Sequence, residues 1–120
     1  MKSRRIPDYT YCRHVTLIIG TDAELERWVK RQQRTCPELG DWGGVAGRFL
    51  KFPDTHGRWQ RFILISTKTK GHWRTAVLAH EVMHLTFDVL WSAGLQLNEG
   101  SEEAFTYYFQ GRFAECLKLL

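Results

Sequence analysis

Thr75-Ala-Val-Leu-Ala-His-Glu-Val-Met-His-Leu-Thr-Phe-Asp-Val-Leu-Trp91 is the stretch on which the reading of this chain turns. Leu78, Val82, Leu85 and Val89 recur at helical spacing, so the run is expected to be a helix with one buried stripe. His80, Glu81, His84 and Asp88 crowd a neighbouring face, and ionisable groups there are costly to bury unless something binds them. Side chains four apart on a helix stand one above the other, so His80 and His84 can each offer a ring nitrogen to one metal ion. Glu81 is turned from His80 by roughly 100°, which lets its carboxylate reach a metal-bound water from outside the ligand shell. His80-Glu-Val-Met-His84 is thus an H-E-x-x-H pattern with a zinc pair and a general base. Asp88, four residues past His84, reads either as a hydrogen-bond partner of a liganding imidazole or as an exposed helical acid.

Catalytic zinc usually takes three protein ligands and keeps a fourth position for water. Gly94 reads as the cap that ends the motif helix. A polar loop follows, and Ser101-Glu-Glu-Ala-Phe-Thr-Tyr-Tyr-Phe-Gln110 is expected to open a second helix with Ser101 as N-cap. Helices joined by a short loop tend to pack antiparallel, so an acid in that first turn can face the histidines. Three carboxylates compete. Glu102 shares a helical face with the apolar Phe105, Phe109, Phe113 and Cys116, Glu103 lines up with Tyr107 and Gln110, and Glu99 lies in the loop.

Over residues 75–110 the chain resembles a gluzincin-type zinc metallopeptidase, in particular the very small phage and prophage proteins in which an H-E-x-x-H helix is followed by a Glu-bearing helix. The resemblance implies zinc as cofactor, His80, His84 and Glu103 as its ligands, and Glu81 as the base. It also implies a protein or peptide substrate and a zincin-like fold in which a sheet edge beside the motif helix holds extended peptide. Arg61-Phe-Ile-Leu-Ile-Ser66 is either that edge or a central strand. The chain departs from the larger thermolysin-like pattern, where an Asp stands four residues after the Glu ligand; here that position is Tyr107. A phenol can donate a hydrogen bond to a carboxylate, and Tyr107 or Tyr108 could also donate to a tetrahedral intermediate, although helical aromatics more often pack in a core.

The remaining segments complete an α+β domain. His14-Val-Thr-Leu-Ile-Ile-Gly20 reads as a strand. Thr21-Asp-Ala-Glu24 is a capping box that opens a helix with Leu25, Trp28 and Val29 inward, expected to run until Cys36-Pro37 stops it. Glu38 to Gly47 is a glycine-rich loop. Arg48–Phe52 and Arg58–Ser66 flank a turn and predict a β-hairpin. The order β, α, β, β, α, α predicts a small, mostly antiparallel sheet of three strands or slightly more, packed on the motif helix.

A length of 120 residues, with five Trp and seven Phe, fits a single domain spanning 1–120 with one core. No apolar run approaches a membrane span, and Met1-Lys-Ser-Arg-Arg-Ile-Pro-Asp-Tyr9 lacks the apolar core of a signal peptide, so a cytoplasmic location is expected. Cys12, Cys36 and Cys116 are odd in number and widely spaced, which argues for reduced thiols and places Cys116 in the core. His14, His56 and His72 lack ligand spacing, although His72, just before the motif helix, could help stabilise an oxyanion. The net charge of +4, with Arg27, Lys30, Arg31 and Arg34 on one face of the first helix and Lys2, Arg4 and Arg5 near the start, leaves two further readings. One is a solvated face; the other is contact with nucleic-acid phosphates. The rivals to a peptidase are accordingly a zinc-bearing module that binds protein or nucleic acid without hydrolysis, and a DNA-associated protease of SprT-like logic.

Overall fold

The computed structural model describes residues 1–120 as an α+β fold, with three helices and a four-stranded mixed sheet. In chain order the elements are β1 (Lys2–Ile6), β2 (Val15–Gly20), α1 (Asp22–Gln32), β3 (Gly47–Pro53), β4 (Trp59–Ser66), α2 (Gly71–Ser92) and α3 (Glu102–Leu117). The sheet order is β1-β2-β4-β3. β1 pairs antiparallel with β2 and β3 antiparallel with β4, whereas β2 and β4 run parallel.

Two findings differ from the sequence expectation. Lys2–Ile6 is a strand and not merely a basic segment; only Ile6 of it is buried, because β1 is an edge with most of its side chains in solvent. The central pairing is parallel, since α1 carries the chain over one face of the sheet before β3 and β4 form, and parallel neighbours need such a crossover. β4 is therefore central, and the edge on the other side is β3. The apolar run of β4 follows from burial on both faces. On one face Ile63 and Ile65 join Leu17, Ile19 and the stripe Leu78, Val82, Leu85 and Val89 of α2. On the other, Leu64 and Ile18 pack with Leu25, Trp28 and Val29 of α1 and with Trp42 from the loop.

Local chemistry fixes the helix ends. Thr21 accepts from the Glu24 amide and Glu24 returns the bond to the Thr21 amide, so the capping box is formed. α1 ends at Gln32, short of Cys36, with turns over 33–36 continuing its last carbonyls. α2 begins at Gly71, four residues before the expected Thr75, and closes on Gly94 at φ 85°. There the Gly94 amide bonds the Trp91 carbonyl and the Leu95 amide bonds that of Leu90, a Schellman closure that a left-handed glycine permits. Ser101 precedes α3 but makes no side-chain cap bond; its hydroxyl instead donates to the Gln96 carbonyl while Asn98 Oδ1 accepts the Gly100 and Ser101 amides. The loop is thereby ordered around Asn98.

Asp88 is neither free nor placed on a histidine. Its carboxylate accepts from Arg61 Nε at 2.6 Å and from Lys51 Nζ at 2.9 Å, tying α2 to the central strand and to the β3 edge. Arg61 is almost wholly buried, so this pairing is what makes a guanidinium tolerable beneath the motif helix.

Gly47 opens β3 at its closest approach to α2. A Cβ there would lie 2.5 Å from Val77 Cγ1 and 3.3 Å from Glu81 Cγ, so any larger residue forces Val77 or the strand to shift. Gly47→Ala is expected to cost about 1–3 kcal/mol by overpacking, read as a lower midpoint in urea unfolding with an unchanged slope.

Candidate metal centre

His80 and His84 project from α2 on its solvent side, one turn apart. Their Nε2 atoms approach to 3.1 Å, with the rings edge-to-face at 4.7 Å between centroids. Two imidazole nitrogens each about 2.0–2.1 Å from one tetrahedral zinc would be about 3.3 Å apart, so the pair already has the separation that a shared metal asks of it. The donors are imidazoles, which suit zinc.

Glu81 turns the other way, toward the β3 edge, and is buried. Desolvation raises its carboxyl above the ordinary value, opposed by the nearby His80 and His84 rings, the Phe49 backbone amide and the Arg48 charge. A carboxyl displaced toward neutrality is suited to taking up and releasing a proton. His80 and Glu81 line one cleft of about 330 Å³ with Ala46 and Gly47 of the β3 approach and Trp73, Ala76 and Val77 of α2. An exposed strand edge and the motif helix are its two walls. The edge beside the helix is thus β3, not Arg61–Ser66, whose backbone is paired on both sides.

The sequence-selected residues fall into two groups. His80, Glu81 and His84 are gathered in one patch. Glu103 is exposed, as is Glu99 in the loop, and neither completes a group of three donors with the histidines. Glu102 does line the groove between α2 and α3, a space of about 480 Å³ with Met83 and Phe87 from α2 and Phe105, Thr106 and Phe109 from α3. Met83 lies between the two histidines in sequence, so Glu102 is the acid of α3 on the side that faces the motif helix. No group of three or more His, Cys, Asp or Glu side chains stands close enough to enclose an ion in this arrangement. The donor chemistry fits zinc at the two imidazoles, and no third donor stands with them.

Tyr107 is 68% exposed and borders a separate depression with Thr10, Tyr11 and Arg112, away from the histidines. Its neighbour Tyr108 is buried and donates to Asp8 Oδ2 at 3.2 Å, with desolvation and that carboxylate raising its phenol. Cys116 is buried as expected, its thiol pushed up to about 11 by desolvation. His72 and His56 are exposed, while His14 Nδ1 accepts the Asp8 amide. Arg27, Lys30 and Arg31 on α1 and Arg34 in the turn after it are all solvent-exposed, with Lys30 3.7 Å from Glu26.

No family model, curated protein or solved structure matches this chain. Its site must be judged on its own geometry. No helix is long and apolar enough to cross a membrane.

Sequence reasoning missed Gly47 and Lys51 as parts of the site's frame. Neither carries a local signal, because each matters through α2 residues distant in sequence. The apolar groove was partly signalled by the spacing of Phe105 and Phe109, while its other wall, Met83 and Phe87, is one helical turn on the motif helix itself.

Proposed function

We propose that the chain is a minimal zinc metallopeptidase of zincin-like architecture, with His80 and His84 as metal ligands and Glu81 as general base. The observation that carries this reading is the pairing of two imidazole nitrogens 3.1 Å apart with a buried glutamate one residue along, whose carboxyl desolvation raises above its ordinary value. Zinc bound there would supply a Lewis acid and lower the pKa of water. The chain's own residues do the rest. Glu81, held against the β3 edge, accepts a proton from the attacking water and returns it to the leaving amine. The unpaired outer side of β3 offers backbone groups to an extended peptide. Asp88, through Lys51 and Arg61, keeps that edge in register with the helix that carries the base.

For the third ligand, spacing by resemblance favours Glu103 and the geometry favours Glu102, because only Glu102 lines the groove facing α2. On the geometric reading Glu102→Ala removes most of the zinc affinity, since losing one of three protein donors weakens a site far more than losing a surface charge. Glu103→Ala then stays near wild type. Competition with a chelating zinc dye ranks the two variants, and the opposite ranking assigns the ligand to Glu103. Cleavage of a peptide library by zinc-loaded protein tests the activity. If wild type and Glu81→Gln both hold zinc and both retain a bound partner without cleaving anything, the non-hydrolytic module is the better account.

A further inference from the structure

On the face of the sheet that α1 covers, Arg5, Thr16 and Phe62 stand in register across β1, β2 and β4. Gln60, two residues before Phe62 on β4, points the same way because side chains alternate along a strand, and His14, just before β2, lies beside it. Together with Cys12, Arg13 and, from the alternate positions of β4, Trp59 and Arg61, they line a depression of about 260 Å³, to which α1 contributes no residue. Phe62 is held in place by Trp28, 4.8 Å away between ring centroids.

The lining is rich in donors. It holds the guanidinium groups of Arg5 and Arg13, the Thr16 hydroxyl, the Gln60 amide and Arg61, whose guanidinium is already engaged by Asp88, and no Asp or Glu is among the lining residues. No ion pair of the chain engages Arg5 or Arg13. Arg13 gives one nitrogen to the Tyr11 carbonyl at 2.7 Å, which orients the fork and leaves its other N–H groups to spare. His14 Nδ1 already accepts the Asp8 amide at 3.0 Å, so a neutral ring carries its proton on Nε2 and is a further donor. The loop between β1 and β2 is held in advance: Asp8 Oδ1 accepts the Thr10 and Tyr11 amides, and Cys12 is the one non-glycine residue at positive φ, 55°. A strained residue persists where its surroundings over-determine it.

The geometry points to a phosphate-binding site in this depression, beside the starts of β2 and β4 and lined by neither His80 nor His84. Two guanidinium forks match phosphate oxygens in pairs, and the hydroxyl, amide and imidazole donors exceed what a carboxylate could accept. The same chemistry is offered by a free phosphate and by the backbone of a single-stranded nucleic acid. It rests on neither zinc nor peptide hydrolysis.

Two probes read it: inorganic phosphate by titration calorimetry, and a fluorescein-labelled oligothymidine by anisotropy, both at low salt. Arg5→Gln and Arg13→Gln, compared at matched thermal stability, should each weaken binding by about tenfold or more, the usual scale of a charge-assisted hydrogen bond. For the oligonucleotide, each lost contact should flatten the log–log salt dependence by about 0.7. An oligonucleotide held far more tightly than phosphate identifies the nucleic-acid backbone as the source; equal affinity identifies the free anion. Arg27→Gln and Arg31→Gln on α1, Glu81→Gln, and chelator-treated protein should bind as wild type, so a failed metal reading leaves this result standing. The proposal is overturned if neither probe binds, if Arg5→Gln and Arg13→Gln bind like wild type, or if the α1 variants lose as much.

Discussion

Glu81→Gln should fold, keep its zinc and lose at least about 10²- to 10⁴-fold in the rate of cleaving the best library peptide, the usual contribution of positioned proton transfer. The substitution preserves the shape that packs 3.3 Å from the position a Gly47 Cβ would take. It removes only the proton acceptor. Because Glu81 turns toward the β3 edge and not into the space between the imidazoles, zinc content should not change. The fall should appear in kcat and in kcat/KM alike, since the base acts in the transition state and not in holding substrate. Cleavage by Glu81→Gln at the wild-type rate would remove Glu81 from the chemistry.

The second large effect is structural. Asp88→Ala leaves the buried Arg61 guanidinium without its carboxylate and frees Lys51, and breaking a buried pair from one side typically costs about 3–5 kcal/mol. Asp88 is 18% exposed and Arg61 6%, so the lower half of that range is expected. Chemical denaturation reads it directly. Arg61→Met with Asp88→Leu should recover much of the loss, because an apolar pair of similar volume demands no compensation. If Asp88→Ala unfolds within about 0.5 kcal/mol of wild type, the ordinary range for a surface substitution, the network does not hold α2 to the sheet.

Periodicity made the helices and the hairpin readable. Leu78, Val82, Leu85 and Val89 mark the buried stripe of α2 in sequence and form it in the fold, and the capping box at Thr21 does what its spacing says. What was not readable depends on partners far away. β1 carries three basic residues and a serine before its one buried side chain, so it looks like a solvated arm until β2 pairs with it. The unbroken apolar run of β4 fits either an edge or a centre, and only the crossover through α1 makes it central and parallel to β2. Asp88 was legible as an acid near the histidines of α2, but its partners lie 27 and 37 residues earlier. For the site itself, the histidine pair and the glutamate between them are local to one helix and could be read from spacing. The proposed third ligand depends on the phase of α3, where a one-residue rotation exchanges Glu102 for Glu103.

The zinc content of purified protein tests the central claim most directly. Elemental analysis should give about one zinc per chain, with His80→Ala and His84→Ala each losing it, and chelation should lower the melting temperature of wild type but not of those variants, because a metal bound only to the native state stabilises it. Protein that carries no zinc, takes up none on addition, and melts at the same temperature with metal or chelator would contradict the account.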